Sequence, residues 1–216
     1  LRELTGELVR RDVRLRYKRS VLGIFWSLLN PLLQLLVFTV IFGLILSLNI
    51  PHYPLFLFVG LLAWNWLQAA LTEATGAVVD NRELVRRPGF PAVILPVVPV
   101  LTNLVNLVLA LPVLLVFLVL GGVGVQATAL LLPLVLAVQA VLMLGLAYMV
   151  AALNVSFRDV RYILSFVLLL GFYLSPIIYD PATIPARWQT LYYLNPMATV
   201  IDAYRAVLFY GTLPNF

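Results

Sequence analysis

An all-α polytopic membrane protein is the fold class this sequence predicts, and three observations predict it. Apolar residues make up 63% of the 216 and charged residues 11%, with a mean hydropathy of +1.04. A soluble domain of that composition would have almost no polar surface. The apolar residues gather into long continuous runs rather than alternating ones, which favours helices over a β-barrel, because backbone polar groups cannot stay unpaired in lipid. Half of the 14 Lys and Arg side chains fall before Ser20, and none lies between Ser20 and Asn81. A basic membrane-surface segment is thus followed directly by membrane. The chain has no Cys, so neither a disulfide framework nor thiolate chemistry is available to it.

The first element is an amphipathic helix over residues 1–22. Leu1, Leu4, Leu8, Val9, Val13, Tyr17 and Val21 form one apolar stripe, with Arg10, Arg11, Arg14, Arg16 and Lys18 mostly on the other faces. That pattern suits a helix lying in the interface, its stripe in the acyl boundary and its cations among anionic lipid head groups. It serves either as a surface anchor or as a platform that passes movement from a cytosolic partner into the first span. It is not a secretory signal, since its apolar follower is too long and shows no small-residue cleavage site.

Five apolar runs follow, at about Leu28 to Leu48, Leu55 to Val79, Pro91 to Leu120, Thr128 to Leu153 and Tyr162 to Tyr179. At about 1.5 Å per helical residue, most are long enough to cross roughly 30 Å of hydrocarbon. The connecting loops 80–91 and 154–161 are basic, and with the leading segment they hold all the Lys and Arg except Arg187 and Arg205. Short basic loops are retained on the cytoplasmic side, so the chain is expected to start in the cytoplasm. Five spans then leave residues 180–216 outside, a stretch too mixed for an ordinary span. A sixth span is expected after Phe216.

Few residues suggest chemistry. Glu73 is the one acid well inside an apolar run; such a group is either functional or a helix–helix hydrogen bonder, with Gln68, Thr72 or Thr75 as near partners. His52 lies in a Pro-bounded turn without a second metal-ligating residue beside it, so no metal site is expected. Asp180 and Asp202 are 22 residues apart in a segment built for packing, which gives a catalytic carboxylate pair little support. No G-x-x-x-x-G-K-[S/T] sequence occurs, and the only Lys is Lys18, so this chain is expected to bind no nucleotide cofactor itself.

The segment RRDVRLRYKRSVLGIFWSLLNPLLQLLVFTVIFG resembles the start of type-2 ABC transporter permeases, especially those exporting O-antigen, capsular polysaccharide and teichoic acid. The likeness continues in NRELVRRPGFPAVILP, in NVSFRDVRYI and in YLSPIIYDPATIPARWQTLYYLNPMATVIDAYRAVLFYG, in that order across the chain. The resemblance implies a single permease domain of a homodimer in a bacterial or archaeal inner membrane, with six spans per copy. It implies two ATP-binding cassette partners carrying ATP and Mg, a lipid-linked glycan as cargo, and no nucleic-acid partner.

The same resemblance makes loop 80–91 a coupling helix docked on the ATPase, against simple positive-inside anchoring. Glu83, Arg86 and Arg87 would form its charged rim, and Leu84 and Phe90 its apolar knob. Arg158, Asp159 and Arg161 would make a second coupling contact, or be merely solvated. A passage lined by the first and fifth spans would use Phe38, Phe42, Phe166, Phe172, Tyr173 and Tyr179, and an outer gate would use Trp188, Tyr192, Tyr193, Asn195 and Pro196. For each aromatic alone, packing or an interfacial belt is the simpler reading. Planar amphipathic rings also suit the C–H faces of a sliding sugar polymer.

Two rival readings remain open from the sequence. A membrane enzyme acting on lipid-linked sugars would show clustered acids, His or Arg at one face. A secondary transporter would show several intramembrane ionisable groups or an inverted repeat.

Overall fold

Among the described residues, nine α-helices form a bundle centred on one of their number, α3. A computed structural model describes residues 2–17, 25–46 and 50–214. The elements are α1 (Arg2–Tyr17), α2 (Trp26–Phe38, continued as a π-helix over Thr39–Ile45), α3 (Tyr53–Gly76), α4 (Arg82–Val85) and α5 (Val97–Leu120). After them come α6 (Leu132–Ser156), α7 (Val160–Leu174), α8 (Ala186–Tyr192) and α9 (Pro196–Arg205, continued as a π-helix over Ala206–Tyr210). Leu1, Lys18, Arg19 and Val21 lie outside the described residues, as does the position after Phe216.

Among the described residues, four segments are long and apolar enough to cross a membrane: Trp26–Ile45, Tyr53–Gly76, Ala92–Leu120 and Ala127–Ser156. The fifth apolar helix, α7, has 15 residues. It stops before the expected Tyr179 because Ser175 precedes Pro176, and a residue before proline is driven out of the α region; Ser175 is extended at φ −98°, ψ 151°. Proline and glycine set the other boundaries. Pro54 and Pro133 open α3 and α6, and Gly121 and Gly122 close α5. Asn195 caps α9 by accepting a hydrogen bond from the Met197 amide at 3.0 Å, with Pro196 in the first turn.

Helix α3 is the hub, touching α2, α5, α6, α7 and α9. Phe56, Leu57, Leu61, Ala63, Ala70 and Ala74 are fully buried along it. Hydrophobic association is weak between helices in lipid, so close packing and interhelical hydrogen bonds, about 0.6 kcal/mol each, hold such bundles together. Several meet on α3. The Gln139 amide donates to the Ala63 carbonyl at 2.8 Å and accepts from the Tyr204 hydroxyl at 2.7 Å, joining α6, α3 and α9. Trp66 Nε1 donates to the Val100 carbonyl at 3.0 Å, and Asn154 Nδ2 to the Thr75 carbonyl at 2.8 Å.

The two ends of the bundle differ. At one, the basic end, lie α1, α4 and the turn between α6 and α7; at the other, the far end, lie α8, α9 and the turn before α3. The basic turn between α6 and α7 is shorter than residues 154–161 suggest, because α6 runs on to Ser156 and leaves only Phe157–Asp159 outside helices. Loop 80–91 forms the single helical turn α4.

Candidate functional site

At the basic end, helix α1 is tied into the bundle by a polar triangle. Arg16 Nη2 donates to Glu73 Oε2 at 2.7 Å, Arg16 Nη1 to Asn103 Oδ1 at 2.9 Å, and Asn103 Nδ2 to Glu73 Oε2 at 3.0 Å. Arg16 is therefore turned inward rather than toward lipid head groups, which corrects its expected role as an anchor. Glu73 pairs with groups on α1 and α5, not with Gln68, Thr72 or Thr75. The Thr72 and Thr75 hydroxyls donate instead to carbonyls one turn back, those of Gln68 and Leu71. Arg10, Arg11 and Arg14 remain exposed, with Arg10 bonded to Glu7 at 3.1 Å. Lys18 lies outside the described residues.

One part of the α1 stripe also packs on protein. Leu8 is buried with Ile94 and Val98, and Leu84 and Phe90 close over them. Those two residues, expected as an apolar knob for a partner, face into the chain, because an apolar side chain beside α1's own stripe is removed from water there at once. Glu83, Arg86 and Arg87 stay exposed around them, with Val85 the exposed apolar residue of the turn.

A second link joins the two basic turns. Arg161 Nη2 bonds both carboxylate oxygens of Asp80, at 2.7 and 2.8 Å. Gly76 makes this possible: a Cβ there would collide with the Asp80 carboxylate and lie 2.7 Å from Arg161 Nη2. Arg158 and Asp159 are exposed and form no ion pair among the described residues.

From the basic end a cleft of about 600 Å³ rises between α2, α3 and α5. Asn30, Gln34, Asn65, Gln68, Asn103 and Asn106 line it, with Arg16 and Glu73 toward its mouth. Asn65 Nδ2 donates to Gln34 Oε1 at 2.8 Å. Sequence reasoning missed this cleft, although its signal is present: Asn30 and Gln34, Asn65, Gln68 and Thr72, and Asn103 and Asn106 recur at three- and four-residue spacing.

Higher up, aromatic residues of α2, α3 and α7 meet. Phe38 lies 6.0 Å from Phe42 and 5.7 Å from Phe172, and Phe172 lies 6.0 Å from Trp64 and 5.3 Å from Tyr173. Phe166 and Tyr173 are more than half exposed on α7, whereas Tyr179 is half-buried beyond its end. The expected passage residues thus divide into a packed cluster and an open face.

At the far end, Trp188 is half exposed with Arg187 over its ring at 5.8 Å, and Tyr192 and Tyr193 meet edge to face at 5.1 Å. Asn195 also donates to the Ser175 hydroxyl at 2.8 Å, so it holds the α9 cap against the end of α7. Arg205 is buried over the Phe56 ring at 3.4 Å and donates to the Ile177 and Phe56 carbonyls at 3.1 and 3.4 Å. Burial pushes it down to about 10, still charged at neutral pH, against the opposing pull of Asp202 at 3.9 Å. Burial likewise pushes Asp202 up to about 6 despite Arg205. Asp180 and Asp202 share a cleft of about 580 Å³ with Arg205. His52 is exposed in the turn before α3, at φ 51°.

A helical bundle with a basic end and a polar cleft leading inward is the frame of a membrane transporter, and the chain belongs to the ABC-2 type transporter family, whose model matches residues 3–209. It is a multi-pass membrane transporter subunit, and that family works with ABC ATPase subunits. Among its relatives, an O-antigen export system permease protein RfbA of Myxococcus xanthus is 38% identical over 99% of this chain and 83% of that protein. The RfbA permease of Klebsiella pneumoniae is 30% identical, over 98% and 82%, and the polysialic acid transport protein KpsM of Escherichia coli 25%, over 93% and 79%.

Proposed function

We propose that this chain is the permease subunit of an ATP-driven exporter that moves a lipid-linked polysaccharide outward across the cytoplasmic membrane. The observation that carries the reading is the construction of the basic end. There α1 is joined to α3 through Arg16–Glu73, and the start of α7 to the turn between α3 and α4 through Arg161–Asp80, so a push on that surface reaches α3 directly. The names of the permease relatives, O-antigen export and polysialic acid transport, support a polysaccharide cargo, and teichoic acid is the polyol-phosphate alternative.

Two copies work with two ATPase subunits, which hold ATP and Mg. The basic end lies in the cytoplasm, a reading that the distribution of Lys and Arg supports. Closure of the ATPases around ATP presses on Glu83, Arg86 and Arg87 and on Arg158 and Asp159. The permease halves then shift between two packed arrangements, which a few kcal/mol suffices to switch. Glycan advances past the aromatic faces of α2 and α7 toward the far-end helices.

Reversing Arg86 and Arg87 to Glu should abolish export while leaving insertion and complex formation intact, because both are exposed and bear on no helix of the bundle. Co-expression with the cognate ATPase, surface immunodetection of the polymer and phosphate release measure this. Normal export by that variant would remove the coupling proposal, and a wild-type pair that hydrolyses ATP without moving any glycan would remove the transport reading.

A further inference from the structure

We infer that the cleft between α2, α3 and α5 is a hydrated vestibule inside the membrane that binds uncharged, hydroxyl-rich sugar rings, an inference that rests on the proposed glycan export. Depth comes first. Counting about 1.5 Å per residue, Asn30 and Gln34 lie roughly 6 and 12 Å in from Trp26, Asn103 and Asn106 roughly 9 and 14 Å in from Val97, and Gln68 and Asn65 roughly 12 and 17 Å in from Gly76. Three helices thus bring their amides to matching levels, from the basic end to near the middle of the apolar layer.

Such a surface cannot face hydrocarbon, since no lipid tail replaces the hydrogen bonds that amides lose there. The side chains of Asn30 and Gln68 are exposed and make no hydrogen bond among the described residues. Water or a polar ligand must meet them. The chemistry then narrows the ligand. Each amide both donates and accepts, as a sugar hydroxyl does. Arg16 and Glu73 neutralise one another at 2.7 Å, so among the described residues the cleft offers no free cation to hold a polyanion. Trp26, half exposed at the rim, presents a flat ring to the C–H face of a sugar, and Leu62, Leu107 and Ala110 give apolar wall. A volume of about 600 Å³ falls within the roughly 300–1,000 Å³ of small-molecule sites.

The absence of Cys makes a thiol test clean. Asn30→Cys, Gln68→Cys and, as a control outside the cleft on α5 at about the depth of Gln68, Val105→Cys are prepared in the full chain with its ATPase partner, in membrane vesicles open to both sides. Reaction with a charged, water-soluble methanethiosulfonate is expected to be roughly tenfold faster at the first two positions than at Val105, which is exposed outside the cleft. Maltohexaose at high concentration should slow the reaction at Asn30 and Gln68 roughly threefold, and a sialic acid hexamer should not. Equal, slow labelling at all three positions would overturn the vestibule. Fast labelling without protection by maltohexaose would overturn sugar recognition and leave a water-filled cleft; protection by the acidic hexamer alone would overturn the uncharged class. Glycan export by the unsubstituted pair is read separately, so its failure beside intact protection removes the transport reading and leaves the binding site standing.

Discussion

Neutralising either partner of the Arg16–Glu73 pair should loosen α1 from the bundle, and neutralising both should do little more than neutralising one. The pair is short, 2.7 Å, and Asn103 completes the triangle at 2.9 and 3.0 Å. Two unit charges about 4 Å apart attract by roughly 4 kcal/mol at an effective dielectric constant near 20, an upper figure for a partly open site. Arg16 and Glu73 keep 26% and 36% of their side-chain surface exposed, so solvent screens the pair and the desolvation already incurred offsets much of the attraction. A coupling energy of about 1–2 kcal/mol remains, within the range for residues in direct contact. The assay is a double-mutant cycle with Arg16→Gln, Glu73→Gln and the pair together. It is read by hydrogen exchange at the α1 amides and by protease cleavage between α1 and α2 in lipid nanodiscs. Each single change should raise the opening equilibrium by roughly 5–30-fold, and the double change by about the same factor rather than the product. Additivity to within about 0.3 kcal/mol would refute the link and return α1 to the status of a separate surface anchor.

Three further outcomes are expected. Arg161→Glu should lower the ratio of transport to ATP hydrolysis, and adding Asp80→Arg should restore it. The thermal midpoint should hardly move in either variant, since both groups are about half exposed and such pairs contribute roughly 0–1 kcal/mol. Asp202, raised from 3.8 to about 6, binds more protons folded than unfolded, so its contribution to stability is full below about pH 4 and is lost as pH rises to 6. About 1–2 kcal/mol is at stake after screening; Asp202→Asn should flatten the melting profile over that window and raise the midpoint at pH 7. Gly60→Val should detach α9 from α3 at a cost of about 1–3 kcal/mol, because a Cβ there would lie 3.2 Å from Arg205 Nη2 and 3.3 Å from the Ile177 backbone. Protease cleavage between α8 and α9 would report it.

Hydropathy located the helices well because the length of a span is fixed by the membrane, not by neighbours. The observed α3, Tyr53–Gly76, falls close to the expected Leu55 to Val79, and loop 80–91 forms the one brief helix that Pro88, Gly89 and Pro91 permit. What a single sequence conceals is which residue meets which. The partners of Glu73 lie 57 and 30 positions away, and Asp80 meets Arg161 across 81. The apolar stripe of α1 gave the right helix but not the packing of Leu8 on Ile94 and Val98, since a stripe facing lipid and one facing protein have the same composition when that protein is itself apolar. The cleft was within reach, because amides at helical spacing in three spans are unusual in lipid. Uncharged amides mark a site less sharply than acids and histidines, because they neither ionise nor ligate metals strongly.

The burial of α3 bears on how the chain is made. Its mean hydropathy, 1.6, is the lowest of the four long spans, and 78% of its most apolar window is buried among neighbours, against 28% or less for the others. A nascent α3 carries Asn65, Gln68, Thr72 and Glu73 into the insertion machinery before α5 and α6, which cover it, have been synthesised. It is the segment with the least drive to leave the translocon alone, so it gains the most from the arrival of the later helices. Substitutions that weaken α5 or α6 will therefore register first as loss of protein from the membrane, ahead of any defect in transport.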